Sequence, residues 1–508
     1  MAERNITSLR SSLDYLKSIG ELSEVKGEVS PILEISGIEK SLENGPALLF
    51  DNIQGYPGVR DTGNLFSRRE RLAALFGADK PEKVKFKCLE ALRHPLPSKV
   101  VNSGPCQEVV ITENIDVMKT LPLLKHTERD GARILGGGNT LITGKYFRGG
   151  THISFNRMAF RGPDWGTISF GSGNHAEWVA YIEHRNENIP LTINIGNPPA
   201  VTVAAAAGFL HTIVPVGADE LGFSGALQGS PIELVKAKTQ DAYSVAQAEW
   251  VIEGYVNSKE RAWETEESEK LGHIGVAPFF PEWTGYLGRA YRLLKFHVTA
   301  ITHRRERPIF YSILANGFET DLGGGIFREA CFLELADRMR PGLVQDVNII
   351  EGVAGWAGHV IFQVKKARRA DEGHQRNLVT AALSAAPGIR LVAVVDEDVD
   401  IYSPEDILWA LTTRLNPASG VIRAASGGMG QALMPMERAG IAMQASDEIR
   451  HEGGLGLDLT VPFDGKWNFE RSKHPVDKVD LGRWFSKEEL ARISAMQSPY
   501  AKLMAKRG

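Results

Sequence analysis
Short apolar or alternating runs fill the middle of this chain: Gln107–Ile111, Thr140–Thr143, His152–Phe155, Thr167–Phe170, Leu191–Ile195 and Glu249–Val256, each stopped by turn residues. Runs so punctuated cannot build a helical bundle; they read as a sheet or barrel of short strands. The flanks differ. Ser8 to Ile19 has helical spacing (Leu9, Leu13, Leu16) with Gly20 placed to end it, Ala47–Phe50 reads as a buried strand, and helices are predicted near Arg68–Phe76 and Pro81–Leu92. His94-Pro95-Leu96-Pro97 cannot continue a helix and marks a first boundary. Later, Asp346–Gly352 and Ile361–Lys365 read as strands, Gln375–Ala385 as a helix and Ile389–Val395 as a buried strand. Ser403 then supplies an N-cap, with Pro404 at the first helical position. That alternation predicts a parallel, doubly wound layer, and Ser486–Lys506 reads as one terminal helix. The expected organisation is therefore α/β, in three parts: 1–105, 106–315 and 316–508, with helices as insertions in the middle part, the clearest at Ala176–His184.

Charge narrows the function classes. Lys+Arg total 58 against 62 Asp+Glu, so the chain lacks the basic excess of a nucleic-acid binder. Its most apolar segment, Val201–Val216, is interrupted by His211 and Pro215 and falls short of the roughly 20 residues that span a bilayer. The N-terminus has no continuous apolar core of a secretory signal, so a soluble cytoplasmic protein is expected, with no membrane and no nucleic acid as partner. Cys88, Cys106 and Cys331 show no CxxC spacing, which disfavours a zinc ribbon or a disulfide framework. Glycine is in excess, 52 residues against a usual ~7%. It clusters at 136–138, 171–173, 323–325, 427–430 and 453–456, which together hint at backbone approaching a cofactor, although any single cluster is better explained by a tight turn.

The candidate chemistry centres on two places. Alternation along 151–157 (THISFNR) puts His152, Ser154 and Asn156 on one face and Ile153, Phe155 and Arg157 on the other. His152, His175 and Glu220 could form a two-histidine, one-carboxylate metal site, or simply be scattered polar residues; no HExxH is present. Glu282 lies in 278–286 (PFFPEWTGY), where aromatic and proline neighbours would desolvate it into a general acid, unless it is an exposed loop acid. The acidic run Asp396, Glu397, Asp398 and Asp400 reads as a solvated strand end before a magnesium site, and Arg304–Arg307 as surface. There is no GxSxG and no P-loop.

Several stretches, in one order along most of the chain, carry a resemblance: 45–52 (GPALLFDN), 104–107 (GPCQ), 154–157 (SFNR), 249–254 (EWVIEG), 281–286 (PEWTGY), 370–373 (ADEG), 395–401 (VDEDVDI) and 408–414 (LWALTTR). With these the chain resembles the UbiD-type decarboxylases, which include polyprenyl-hydroxybenzoate, ferulic acid, protocatechuate and gallate decarboxylases; the last three stretches look most like the hydroxybenzoate branch. The resemblance implies a central split β-barrel flavin-binding domain between an N-terminal α/β part and a C-terminal α/β domain that serves oligomerisation, as homodimer or higher. It implies prenylated FMN supplied by a flavin prenyltransferase, with Mn²⁺ at the phosphate and K⁺ nearby. His175 and Glu220 match metal ligands, and His152 falls where ferulic acid decarboxylases have asparagine. Ile153, Ser154, Phe155, Asn156 and Arg157, with Asn174 and His175, would line the flavin.

The implied reaction is reversible, non-oxidative decarboxylation of an aromatic acid, hydroxybenzoate-like or heteroaryl, to CO₂ through a covalent flavin adduct. Arg157 would hold the carboxylate, Glu282 protonate the carbon and Trp283 wall the pocket. One departure stands out. Where the family has a second glutamate five residues before the acid, this chain has Ala277, which leaves the Arg–Glu–Glu network incomplete; Glu266, Glu267 and Glu269 are the nearby acids. Two other readings stay open: a non-haem Fe(II) oxygenase built on His152, His175 and Glu220, and a flavin- and metal-binding homologue without turnover.

Overall fold
The computed structural model describes residues 3–143, 151–170, 184, 186–207, 213–214, 218–355, 358–386, 389–423 and 454–507. Asn174, His175, most of the helix expected at Ala176–His184 and the glycine clusters at 171–173 and 427–430 lie outside them.

Helix Leu9–Ser18 begins at a capping box between Ser8 and Ser11 and buries Leu9, Leu13 and Leu16. Gly20, at φ +78°, takes the left-handed turn that ends it. The helix covers a four-stranded sheet ordered Leu22–Val29, Ala47–Ile53, Arg60–Gly63, Ile309–Tyr311. The last strand comes from the far end of the middle segment and pairs in parallel with Arg60–Thr62. Conversely, Lys99–Val101 pairs with Glu233–Val235. The chain thus stitches its first two parts together.

The middle is a nine-stranded antiparallel sheet. Its path runs Ile134–Leu135, Met158–Phe160, Trp165–Ile168, Arg292–His303, Trp250–Trp263, Asn188–Ile195, Gly138–Thr143, Thr151–Phe155, with Val109–Ile111 added beside Arg292–His303. Among the described residues that path has two free ends, so the barrel does not close. Strand Trp250–Trp263 runs well past the Val256 predicted from sequence, because pairing with Arg292–His303 resumes at Arg261 after a bulge. The extension is polar on both faces and leaves no period-2 signal.

Beyond it, helix Phe318–Met339 buries most of its length between the N-terminal and C-terminal parts. The glycine cluster 323–325 lies inside it, where Gly323 and Gly325 only bring the helix against Phe66 and Ile349. That corrects the cofactor hint for this cluster. The C-terminal sheet is ordered Val344–Asn348, His359–Val364, Leu391–Asp396, Leu455–Asp458, Val421–Arg423. Its three central strands are parallel, as expected, whereas both edges are antiparallel. Among its described residues the Asn348–His359 connection contains no helix to carry a parallel crossover. Ser403 caps helix Pro404–Arg414 through the amide of Asp406. The predicted terminal helix is two, Lys487–Met496 and Pro499–Arg507, since Pro499 cannot occupy a helix interior. No helix among the described residues is long and apolar enough to cross a membrane.

Candidate active site
Strand Thr151–Phe155 carries the first group. His152 and Ser154 are buried, and so is Ile153 on the opposite face. Glu220 opens helix Glu220–Gln228, where a carboxylate is favoured by the helix dipole. One carboxylate oxygen accepts from the Ile153 amide at 2.6 Å, and both lie 2.9–3.0 Å from His152 Nδ1. Two neighbouring ligands of one octahedral ion, each about 2.1 Å from it, stand about 3 Å apart. An imidazole nitrogen and carboxylate oxygens with that spacing, buried, therefore fit a divalent cation. His175 lies outside the described residues, among which no group of three such ligands occurs.

Alternation along this strand stops at Phe155, because Asn156 and Arg157 form the link to strand Met158–Phe160. Ser154 Oγ donates to Asn156 Oδ1 at 3.0 Å, and Asn156 Nδ2 donates to the Ser169 carbonyl at 2.9 Å. This pins the link and aims Arg157. Its guanidinium lies 4.3 Å from the centre of the Phe279 ring and 5.3 Å from that of Tyr291. Nη1 donates to Glu282 Oε1 at 2.8 Å and Nη2 to the Arg289 carbonyl at 2.9 Å.

Glu282 sits in the turn of the hairpin Pro278–Pro281/Leu287–Arg289, its amide bonded to the Tyr286 carbonyl at 2.9 Å. It is 7% exposed, so the exposed-loop alternative fails. Gly288 permits this: a Cβ there would stand 2.7 Å from Glu282 Cγ and Oε1 and 2.9 Å from the Phe280 carbonyl. Trp283 is buried beside the acid.

The second carboxylate of the network is one that sequence reasoning missed. Glu264 accepts from Arg157 Nε at 2.8 Å, from Arg157 Nη2, and from the Tyr291 amide at 2.7 Å. It is fully buried at the junction where strand Trp250–Trp263 gives way to helix Glu266–Leu271, held by the capping box of Thr265 and Ser268. Glu266, Glu267 and Glu269 are exposed, and Glu269 pairs with Arg161 at 2.9 Å. Ala277 packs in an apolar cluster with Ile134, Ala159, Phe279, Phe280 and Ala290, which has no place for a carboxylate. The available signal was Thr265-x-x-Ser268 as a helix start: the residue before such a cap, ending a strand, is held rigidly.

Burial alone would lower the Arg157 pKa, but Glu264 and Glu282 outweigh it and raise it, so the guanidinium stays charged. Burial raises the Glu264 carboxyl above the ordinary glutamate value, with Arg157 opposing. Elsewhere the alternatives weaken. Asp398 pairs with Arg414 at 2.6 Å, and Asp396 accepts from the Val461 amide at 2.7 Å, which makes the acidic run structural. Arg304 is not surface: it pairs with fully buried Glu249 at 3.2 Å. All three cysteines are buried, and burial pushes the Cys106 thiol up to about 12, the opposite of an activated nucleophile.

The chain matches three consecutive domain families of 3-octaprenyl-4-hydroxybenzoate carboxy-lyase: the N-terminal domain over residues 13–86, the Rift-related domain over 98–317 and the C-terminal domain over 322–454. It is 31% identical over 488 residues to a gallate decarboxylase of Lactiplantibacillus plantarum, covering 92% of this chain and 96% of that protein. Two solved structures are similar over their whole length. One is the apo 3,4-dihydroxybenzoic acid decarboxylase of Enterobacter cloacae, 28% identical with a TM-score of 0.82 over 96% of this chain. The other is an evolved dimeric form of the UbiD-class enzyme HmfF from Pelotomaculum thermopropionicum in complex with prFMN, 28% identical with a TM-score of 0.77 over 94% of this chain. The chain belongs to the UbiD family of carboxy-lyases. That membership makes it an enzyme of the decarboxylase class and sets aside the oxygenase reading of His152, His175 and Glu220.

Proposed function
We propose that this enzyme catalyses reversible, non-oxidative decarboxylation of an aromatic acid, hydroxybenzoate-like or heteroaryl, with prenylated FMN as cofactor. The observation that carries the reading is the half-buried guanidinium of Arg157 bonded to Glu282 between aromatic faces. A carboxylate substrate needs a fixed cation, and the carbon it leaves needs a proton donor in the same place.

Loss of CO₂ from an sp² carbon leaves an electron pair orthogonal to the ring, and prenylated FMN, when bound, supplies the electron sink for it. The rest falls to the protein. Arg157 orients the carboxylate by charge-assisted hydrogen bonds. Phe279, Tyr291 and Trp283 exclude water, and Glu282 delivers a proton to the vacated carbon. The cofactor would lie along Ile153, Ser154, Phe155 and Asn156, with Asn174 and His175 completing the set. His152 and Arg157, at the two ends of this stretch, would hold the phosphate and the ring of the flavin respectively. His152, His175 and Glu220 would hold Mn²⁺, with K⁺ nearby, to neutralise that phosphate.

Glu264 supports catalysis over a non-catalytic homologue, since it gives Arg157 the second carboxylate that Ala277 lacks. A homo-oligomer is supported by the C-terminal stretch, where Trp467, Trp484 and Met496 are 77%, 60% and 75% exposed. A flavin prenyltransferase would supply the cofactor, in the cytoplasm.

The test is CO₂ release, and solvent deuterium entry at the vacated carbon, from a panel of aromatic acids. It uses protein co-produced with a flavin prenyltransferase. Glu282→Gln should retain flavin and lose both signals; normal rates in that variant would remove Glu282 from the mechanism.

A further inference from the structure
Glu264 and Glu282 reach Arg157 from separate elements, which must be held at a fixed distance from one another. A two-stranded ribbon is marginal by itself. The one that carries Glu282, Pro278–Pro281 with Leu287–Arg289, also breaks register between Pro278 and Pro281. Its second arm leads to Tyr291 and is tied to the Glu264 side. The Glu264 amide donates to the Tyr291 carbonyl at 3.1 Å, and the Tyr291 amide to the Glu264 carboxylate at 2.7 Å. The first arm sets Phe279 against Arg157 and leads into Glu282. It is met by the turn 125–131 (KHTERDG), whose Gly131 amide donates to the Phe279 carbonyl at 2.8 Å.

Contact there is too close for a side chain. A Cβ on Gly131 would stand 2.5 Å from the Pro278 carbonyl oxygen and 2.7 Å from Thr265 Cγ2. This one glycine therefore touches both the hairpin and the cap next to Glu264. The turn that delivers it is braced from within. Asp130, its side chain fully buried, accepts from the His126 amide at 2.7 Å and from Thr127 Oγ1 at 2.5 Å, and lies 3.4 Å from His126 Nδ1. Burial alone would raise this carboxyl, but the bonds from His126 and Thr127 outweigh it and hold it below the ordinary aspartate value. The His126 ring packs against Phe280, 6.2 Å between centres. The start of the turn is fastened to the N-terminal part. The Lys125 amide donates to the Pro31 carbonyl at 3.1 Å, the Lys125 carbonyl accepts from the Leu33 amide at 2.9 Å, and Ser36 Oγ donates to the His126 carbonyl at 2.9 Å.

We propose that Asp130 is a positioning residue for the Arg157 site: by closing the turn 125–131 it seats Gly131 between the Glu282 hairpin and the Thr265 cap, and so fixes where the two carboxylates meet the guanidinium. Its effect on turnover rests on the function proposed above; its effect on the hairpin does not. Among the described residues Asp130 bonds within its own turn, so it acts through Gly131. A misplacement of about 1 Å in a group that orients substrate costs about a hundredfold in rate, which is the size of effect such a brace can have.

Hydrogen–deuterium exchange of the full-length chain, read by mass spectrometry, separates this role from general stability. In Asp130→Ala, peptides covering 264–268 and 277–291 should exchange about tenfold faster, while those covering the C-terminal strands His359–Val364 and Leu391–Asp396 keep the parental rate. Thr127→Val removes one bond to Asp130 and should loosen the same peptides; Thr127→Ser restores the hydroxyl and should not. If Asp130→Ala does not fold, the Thr127 pair carries the comparison. In protein co-produced with a flavin prenyltransferase, Asp130→Ala and Thr127→Val should keep parental flavin content and lose about 10- to 100-fold in kcat, with Thr127→Ser at the parental rate. Parental exchange at the hairpin in Asp130→Ala and Thr127→Val, loosening spread evenly over the chain, equal loosening in Thr127→Ser and Thr127→Val, or loosened variants that turn over at the parental rate would each overturn the brace. The outcomes separate from those for the reaction. A parent chain that releases no CO₂ from any aromatic acid, while its variants loosen at the hairpin, loses the proposed function and keeps the brace on the hairpin. One that turns over, with variants of parental exchange, does the reverse.

Discussion

Truncating Glu264 tests whether it anchors Arg157. The carboxylate accepts three hydrogen bonds, two from the guanidinium and one from the Tyr291 amide, and none of it is exposed. Glu264→Ala leaves a buried cation with one carboxylate instead of two, at a cost of about 3–5 kcal/mol for a broken buried pair. The orphaned Tyr291 amide adds about 1 kcal/mol. Glu264→Gln keeps the volume and one acceptor oxygen, so its cost should be about 1–2 kcal/mol. Glu266→Ala, two residues on and exposed, should stay within about 0.5 kcal/mol of the parent. Urea unfolding of the four proteins, followed by tryptophan fluorescence, gives the ranking. In the cofactor-loaded enzyme, a displaced guanidinium should also lower kcat about a hundredfold in the Ala variant. If Glu264→Ala and Glu266→Ala unfold within 0.5 kcal/mol of one another, Glu264 is not the anchor and the completed network is wrong.

Two other perturbations reach different parts of the molecule. Gly288→Ala drives a methyl group to 2.7 Å from Glu282 and 2.9 Å from the Phe280 backbone, so the acid must move. Turnover should fall about 10- to 100-fold while stability drops about 1–3 kcal/mol, and parental kinetics would mean that the position of Glu282 is not critical. Glu319, fully buried beside Glu39 and Asp61 under the N-terminal sheet, is pushed by burial from 4.5 up to about 7. As pH rises from about 4.5 to about 7, the unfolded chain gives up this proton while the folded one keeps it. The contribution is therefore full below about 4.5 and is lost by about 7, a fall of about 3 kcal/mol. Burial raises Glu39 and Asp61 in the same direction. Glu319→Gln should flatten the pH dependence of the urea midpoint by that amount; an unchanged slope between pH 5 and 8 would refute it.

What was legible from sequence follows the physics of each signal. Local codes read well: the Ser8 and Ser403 caps, the helix spacing of Leu9, Leu13 and Leu16, and the alternation that buries His152 and Ser154 all act within a few residues. Signals that depend on a distant partner did not. Strand Arg292–His303 alternates Leu294, Phe296, Val298 and Ala300 inward, yet lysine, histidine and threonine between them masked it as polar sequence. The strand at Ile309–Tyr311 pairs with Arg60–Thr62 some 250 residues away, and nothing in its three residues says so. Helix Phe318–Met339 was hidden by its own glycines, each of which costs an isolated helix about 1 kcal/mol. Burial against both neighbouring parts of the molecule overrides that cost.

The site shows the same division more sharply. Sequence position suggested that the second acid must lie next to Glu282 in the chain, and Ala277 therefore looked like a loss. In space the requirement is different: a carboxylate must meet the Nε edge of Arg157, from whichever element comes close enough. Three elements converge there, the link after Thr151–Phe155, the hairpin that carries Glu282, and the end of the long strand Trp250–Trp263. Residue 277 packs in the apolar cluster with Phe279 and Phe280, while the strand end delivers Glu264 to the Nε edge of Arg157, already rigid because a helix cap follows it.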